Sequence, residues 1–231
     1  MRLLRGRAAT RSADDAVTGR CLERTADTGE RVVRVWRPHK QVVFGRRDTR
    51  SDGYDTAREV AEERGYPAVV RRTGGRAAAY TGSTVAFLRT EPIVDVRQGL
   101  ADRYAAVTTM IQRALWRLGV PAQQGEPDRS FCPGSHSLSA QGKLVGIAQR
   151  VTNDAAMVAG TLIVDDHEAL GAILDPVYEA LGVPFDPDTV GSLARAGGRT
   201  EWTAVRLELE GALLSGVEPT VERVDRDQRV E

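Results

Sequence analysis

Apolar positions recur every three or four residues in several long stretches of this chain and alternate in several short ones. The spacing predicts a first helix over Ser12 to Ala26, with Ser12 as its N-cap and Ala13, Ala16, Val17, Cys21 and Leu22 along its apolar side. Arg31 to Trp36 and Gln41 to Gly45 predict two strands, separated at Pro38. Asp52 to Arg64 predicts a second helix, stopped by Gly65. Pro67 to Val70 runs into a glycine pair, and Ser83 to Leu88 predicts a further strand. Leu100, Tyr104, Val107, Ile111, Leu115 and Leu118 mark a long amphipathic helix over Val96 to Leu118. Ser135 to Ser139 alternates, Gln141-Gly142 turns, and Lys143 to Val151 and Ala155 to Val164 complete an antiparallel meander. Asp165 or Asp166 caps a helix that ends near Leu181, and Glu201 to Leu214 is the last helix. The charged tail from Val217 is expected to fray.

Helices and strands mix here without strict strand–helix–strand alternation, which points to an α+β fold with a mainly antiparallel sheet flanked by helices. Pro184, Pro187, Gly197 and Gly198 loosen the chain after Gly182, so the expected division is a main domain over 1–185 and a short helical extension over 186–231, packed on it or trailing from it.

Composition narrows the function. Hydrophobic residues are 41% and charged residues 28% of the 231, enough apolar content for a packed core. A formal net charge of zero argues against a general nucleic-acid or anionic-membrane binder. No stretch reads as a signal peptide or a membrane span, so a cytoplasmic protein is expected. Of the 32 basic residues only Lys40 and Lys143 are lysine, the other 30 being arginine. A lysine kept against that bias is a candidate for work arginine does poorly, as a compact charge on a flexible stem.

Two regions carry candidate chemistry. Arg71-Arg72-Thr73-Gly74-Gly75-Arg76-Ala77 places arginines on both sides of a glycine pair. Glycines let a backbone take positive φ and approach a ligand, and guanidinium groups grip carboxylate or phosphate. The stretch is either an anion-cradling loop or an ordinary hairpin turn with surface arginines. Arg46, after Gly45 at a strand end, stands over a ligand or in a solvated turn. Lys143 follows the Gln141-Gly142 turn, where it either meets an activated acyl group or is a solvated hairpin lysine. Cys132, before Pro133-Gly134, is a nucleophile in an exposed turn, with His136 near enough to assist, or a small buried side chain beside Phe131. Cys21 falls on the apolar stripe of the first helix and reads as core. His39 and His167 have no partners at ligand spacing, and no metal site is expected.

Three stretches, in order, resemble the lipoate–protein ligase and octanoyltransferase family, which shares its catalytic domain with biotin–protein ligases. They are Gln41-Val42-Val43-Phe44-Gly45-Arg46, Arg71-Arg72-Thr73-Gly74-Gly75-Arg76-Ala77, and Gly142-Lys143-Leu144-Val145-Gly146-Ile147-Ala148-Gln149. The last is similar to a Lys-Lys-x-x-Gly-Ser-Ala-Gln strand, with Lys143 in place of the second lysine. Val190-Gly191-Ser192-Leu193 resembles a shorter segment that follows. The resemblance implies attachment of a lipoyl or octanoyl group to a lysine of lipoyl-domain proteins, the 2-oxoacid dehydrogenase E2 subunits and the glycine cleavage H protein. It implies a catalytic Lys143 and ligand contacts from Arg46, Arg71, Arg72, Thr73, Gly74, Gly75, Arg76, Ala77, Gly146 and Ala148.

The first expectation from the resemblance is a ligase, working through an acyl-adenylate with ATP and Mg2+. Phe131-Cys132-Pro133-Gly134-Ser135 resembles instead the cysteine loop of the branch that passes the acyl group through a thioester and needs no cofactor, which would make Cys132 catalytic. A module that only binds a lipoyl domain or acyl ligand is the third alternative. The chain departs from the family pattern at three places. Its glycine pair stands one residue early with Arg76 where a glycine is usual, Thr81-Gly82-Ser83 replaces a His-Asp-x segment after Tyr80, and Ile147 replaces a serine. The tail after Leu181 is short for the accessory domain of some ligases.

Overall fold

The computed structural model describes residues 1–71 and 74–225. In chain order the elements are β1 (Arg2–Arg5), α1 (Arg11–Thr28), β2 (Val32–Trp36), β3 (Gln41–Phe44), α2 (Tyr54–Glu63), β4 (Ala68–Val70), β5 (Ala78–Tyr80), β6 (Val85–Pro92), α3 (Leu100–Arg117), β7 (Gln123–Gln124), β8 (Leu138–Ser139), β9 (Lys143–Val151), β10 (Ala155–Leu162), α4 (His167–Ala180), α5 (Trp202–Leu214) and β11 (Thr220–Arg223). An eight-stranded sheet runs β11-β1-β2-β6-β10-β9-β8-β7, and a three-stranded sheet runs β4-β3-β5. Pairing is antiparallel except between β11 and β1, β1 and β2, and β3 and β4. This is the expected α+β arrangement with a mainly antiparallel sheet.

Three apolar cores explain the layering. Every residue of β2 is buried, so both faces of the large sheet are covered. Val33 and Val35 pack with Val107, Ile111 and Leu115 of α3 and with Val205 and Leu209 of α5. Val32 and Trp36 face the other way, onto Val17, Cys21 and Leu22 of α1. The small sheet buries Val42 and Phe44 against Ala57 and Ala61 of α2 and Leu170, Leu174 and Tyr178 of α4. Cys21 is a core residue, and burial pushes its thiol up to about 11.

Local differences from the sequence expectations have physical causes. The first helix starts at Arg11, because Thr10 and not Ser12 caps it, its side chain accepting from the Ala13 N–H at 3.2 Å. The long helix starts at Leu100 and not Val96. Asp95 Oδ1 accepts the Arg97 N–H at 2.9 Å, and Gly99 then takes a left-handed φ of 69°. The tail does not fray at once: Thr220–Arg223 pairs in parallel with Arg2–Arg5 at the sheet edge. All four of its side chains are exposed, so no hydrophobic alternation marks it in the sequence.

Candidate active site

A cleft of about 1450 Å³ opens between the two sheets, walled by α1, β4, β9, β10 and the loop that joins β7 to β8. Cys132 sits on that loop with a left-handed φ of 41°, uncommon for a side chain with a Cβ. Three neighbours hold it there. Its N–H donates to the Tyr178 hydroxyl at 2.6 Å, and its carbonyl accepts from Lys143 Nζ at 2.7 Å. Its Sγ accepts from Arg71 Nη2 at 3.0 Å.

Lys143 is the first residue of β9 and is fully buried. Gly142 just before it has a φ of 111°, and a Cβ there would lie 2.7 Å from the Gly191 nitrogen, so only glycine makes that turn. The lysine Nζ donates to Glu126 Oε2 at 2.7 Å, to the Phe131 carbonyl at 2.9 Å and to the Cys132 carbonyl at 2.7 Å. An ammonium has three N–H donors, so all are engaged within the protein. Glu126 in turn accepts from the Gly134 N–H and from Ser137 Oγ, each at 2.7 Å. One carboxylate and one ammonium therefore tie down both ends of the 126–137 loop.

Arg71 directly follows β4, and its N–H donates to the Phe44 carbonyl at 3.0 Å. Its Nη2 donates to the Arg76 carbonyl at 2.7 Å as well as to the sulfur. Burial is the largest influence on Arg71 and pulls its pKa down. The charge of Cys132 and then of Tyr80 opposes it, and the balance leaves Arg71 above its ordinary value. Gly75 has a φ of 106°, and a Cβ on it would overlap Arg71 Nη2 and stand 2.7 Å from Cys132 Sγ. The second glycine of the pair thus makes room for the arginine–cysteine contact. Gly45 is needed for a related reason: a Cβ on it would overlap the Gly75 carbonyl.

Of the residues singled out from the sequence, Arg71, Gly74, Gly75, Cys132, Lys143, Gly146 and Ala148 line the cleft together. Arg46, Arg76 and Ala77 are not part of its lining. Arg46 is exposed on the turn after β3. Arg76 Nη1 pairs with the buried Asp48 at 3.2 Å. Ala77 is buried, and its carbonyl accepts from Tyr178 Oη at 2.8 Å. Arg72 and Thr73 lie outside the described residues. His136 lines the cleft too, stacked parallel on Tyr104 with ring centroids 4.1 Å apart, and its Nδ1 is buried without a partner.

Sequence reasoning missed Glu126 and Tyr178. Glu126 stood in a polar loop with no periodicity to mark it. Its one cue was chemical, since a scarce, buried lysine requires a carboxylate. Tyr178 looked like one more apolar residue of α4. Its hydroxyl bridges the Cys132 N–H and the Ala77 carbonyl, and burial raises its pKa well above the ordinary phenol value. Among the described residues no group of three or more His, Cys, Asp or Glu is placed to hold a metal ion, and no helix is long and apolar enough to cross a membrane.

The arrangement offers acyl-transfer chemistry: a sulfur on a cleft wall, a guanidinium donating to it, and a rigid loop. The family described as "Lipoyl protein ligase A/B catalytic domain" matches residues 16–205. An octanoyl-[GcvH]:protein N-octanoyltransferase of Geobacillus kaustophilus is 32% identical over 174 residues, 73% of this chain and 59% of that protein. A lipoyl-[GcvH]:protein N-lipoyltransferase of Listeria monocytogenes is 29% identical over 175 residues, 70% of this chain and 62% of that protein. The chain thus spans about three fifths of the length of these relatives. A crystal structure of lipoate-protein ligase A bound with ATP superposes with a TM-score of 0.77 at 16% identity, covering 97% of this chain and 89% of the other. The bipartite lipoate protein ligase of Thermoplasma acidophilum, solved in work on an archaeal lipoylation system, superposes with a TM-score of 0.70 at 14% identity, covering 97% and 87%. These structural likenesses show a shared fold.

Proposed function

Because the chain belongs to the lipoyl protein ligase A/B catalytic domain family, we propose that it moves an octanoyl or lipoyl group onto the lysine of a lipoyl-domain protein through a thioester on Cys132. The observation that carries this reading is the placement of Cys132 Sγ on the cleft wall, 3.0 Å from Arg71 Nη2. The relatives' names support an acylated glycine cleavage H protein as donor and a second lipoyl domain, such as an E2 subunit, as acceptor.

The sulfur attacks the donor's acyl carbonyl carbon. The S–C bond forms, the bond to the donor's thiol or lysine nitrogen breaks, and the leaving group takes up a proton from solvent. The acceptor lysine, as the free amine, then attacks the thioester. The C–N bond forms, the C–S bond breaks, the proton of the nitrogen goes to solvent and Cys132 is regenerated. No nucleotide is consumed, because the acyl group arrives already attached to a carrier. Lys143 acts here by fixing the Cys132 backbone, and Glu126 by fixing Lys143 and the far end of the loop. The ligase route, through an acyl-adenylate with ATP and Mg2+, would need Lys143 to leave one of its three partners to reach the acyl carbonyl and phosphate.

Intact mass of a lipoyl-domain acceptor tests the reading. With an octanoylated carrier and no ATP the acceptor gains the acyl mass, and C132S abolishes the gain. A gain only with free lipoate or octanoate and Mg-ATP, surviving C132S, would establish the ligase route instead. Binding of the acceptor with no gain in either mixture would leave a binding module.

A further inference from the structure

We propose that Arg71 sets the ionisation and direction of the nucleophile: its guanidinium holds the Cys132 sulfur as an anion and aims it into the cleft, a role that rests on the thioester reading above. The sulfur needs a partner, and Arg71 is the side chain that donates to it among the described residues. All three Lys143 protons go to Glu126 and to the Phe131 and Cys132 carbonyls. His136 is held flat against Tyr104. The Tyr178 hydroxyl donates its proton to the Ala77 carbonyl and accepts from the Cys132 backbone. Arg71 Nη2, 3.0 Å away, donates to the sulfur itself.

The arginine is built into place. Its backbone is fixed on β3, and the same Nη2 that meets the sulfur is anchored on the Arg76 carbonyl at 2.7 Å. Among the described residues no carboxylate lies within ion-pair distance of it, so its charge is not neutralised by another group. Gly75 lacks the Cβ that would come between guanidinium and sulfur, and its φ of 106° brings the loop across them. The glycine that reads from the sequence as a ligand cradle therefore serves the nucleophile.

A guanidinium suits both steps. It stays protonated, so it cannot act as the base that removes the thiol proton. That proton goes to solvent before the acyl group arrives. In the first step the sulfur attacks as an anion, and in the second it departs as one. A fixed positive charge favours both without any proton moving between Arg71 and Cys132. The titratable groups around the sulfur are Arg71 just after β4, Tyr80 from β5 and Tyr178 from α4. Lys143 and His136 share the cleft lining with Cys132, Lys143 being bonded to the Cys132 carbonyl and to Glu126.

Iodoacetamide alkylation followed by peptide mass mapping, from about pH 6 to about pH 9, tests this on the whole chain without any acyl donor. It reads Cys132 separately from the buried Cys21, whose labelling in the same digest reports unfolding. The expected result is that wild-type Cys132 reacts at neutral pH faster than N-acetylcysteine. R71Q slows it at least about tenfold at neutral pH and regains rate on the alkaline side, the size of a one-unit change in ionisation. R71K, which keeps the charge, retains most of the wild-type rate. Wild-type reactivity no greater than the free thiol's would overturn the proposal, whether or not R71Q folds. So would an R71Q profile that matches wild type, or R71K slowed as much as R71Q at every pH. Failed acyl transfer with these alkylation profiles intact would count against the thioester reading and leave the Arg71 role standing.

Discussion

The core under α1 and the floor of the cleft contain the same three ingredients: a fully buried cation, a carboxylate and a cysteine. Under α1, Arg34 donates to Asp14 and lies over the Trp36 ring at 4.1 Å, with Cys21 packed nearby. In the cleft, Lys143 pairs with Glu126 at 2.7 Å, beside Cys132. The surroundings of the two sulfurs differ. Cys21 is enclosed by apolar side chains, and burial outweighs the charge of Arg34, so its thiol is pushed up to about 11. Cys132 has a second cation, Arg71, that meets the sulfur and, among the described residues, no carboxylate. On the proposed reading, a buried cation near a thiol is therefore not enough to make a nucleophile: the cation is un-neutralised among the described residues and touches the sulfur, and the cysteine lines a cavity.

Removing the two buried cations separates the regions most sharply. K143A and R34A each leave a carboxylate without its partner, and each is expected to cost about 3–5 kcal/mol in denaturant unfolding. Acyl transfer per folded molecule should vanish in K143A and persist in R34A. Equal retention in both would remove Lys143 from the site.

A smaller effect is expected from E126Q. The amide keeps an acceptor for the Gly134 N–H but turns an uncharged donor toward Lys143, costing about 1–3 kcal/mol. Acyl transfer should fall about tenfold, mainly in kcat, because the loop that aims Cys132 loosens. A change confined to KM would mean that Glu126 acts on substrate binding.

The smallest effect belongs to Cys21, and it depends on pH. Its folded pKa of about 11 lies above the ordinary 9.0, so the folded state favours the neutral thiol. That contribution is present in full below about pH 9 and is lost as pH rises through about 11. C21S should be active, and it should show less alkaline destabilisation than wild type across that window, by about 3 kcal/mol at most. Identical alkaline limbs in urea titrations at several pH values would contradict the assignment.

The helical stripes, the Lys143–Val151 strand and the interest of Lys143, Cys132 and the glycine pair were legible in the sequence. Each reports a local fact: apolar spacing along one element, a lysine against an arginine bias, or glycines at a turn. The rest depended on how elements meet. Arg71 and Cys132 are 61 residues apart, Tyr178 and Cys132 are 46 apart, and Glu126 and Lys143 are 17 apart. Sheet register and the packing of α4 decide those pairings, and no local pattern encodes them. The edge strand Thr220–Arg223 was hidden for a related reason, since it pairs through backbone groups and its side chains stay in solvent. The sequence by itself thus determined which residue types are available for chemistry, because residue type is itself chemistry. The tertiary structure alone decided which of them touch: it set Gly75, which lines the cleft, against the arginine–cysteine pair as well, and it buried Lys143, read as an acyl contact or a solvated hairpin lysine, with its Nζ on the Cys132 carbonyl.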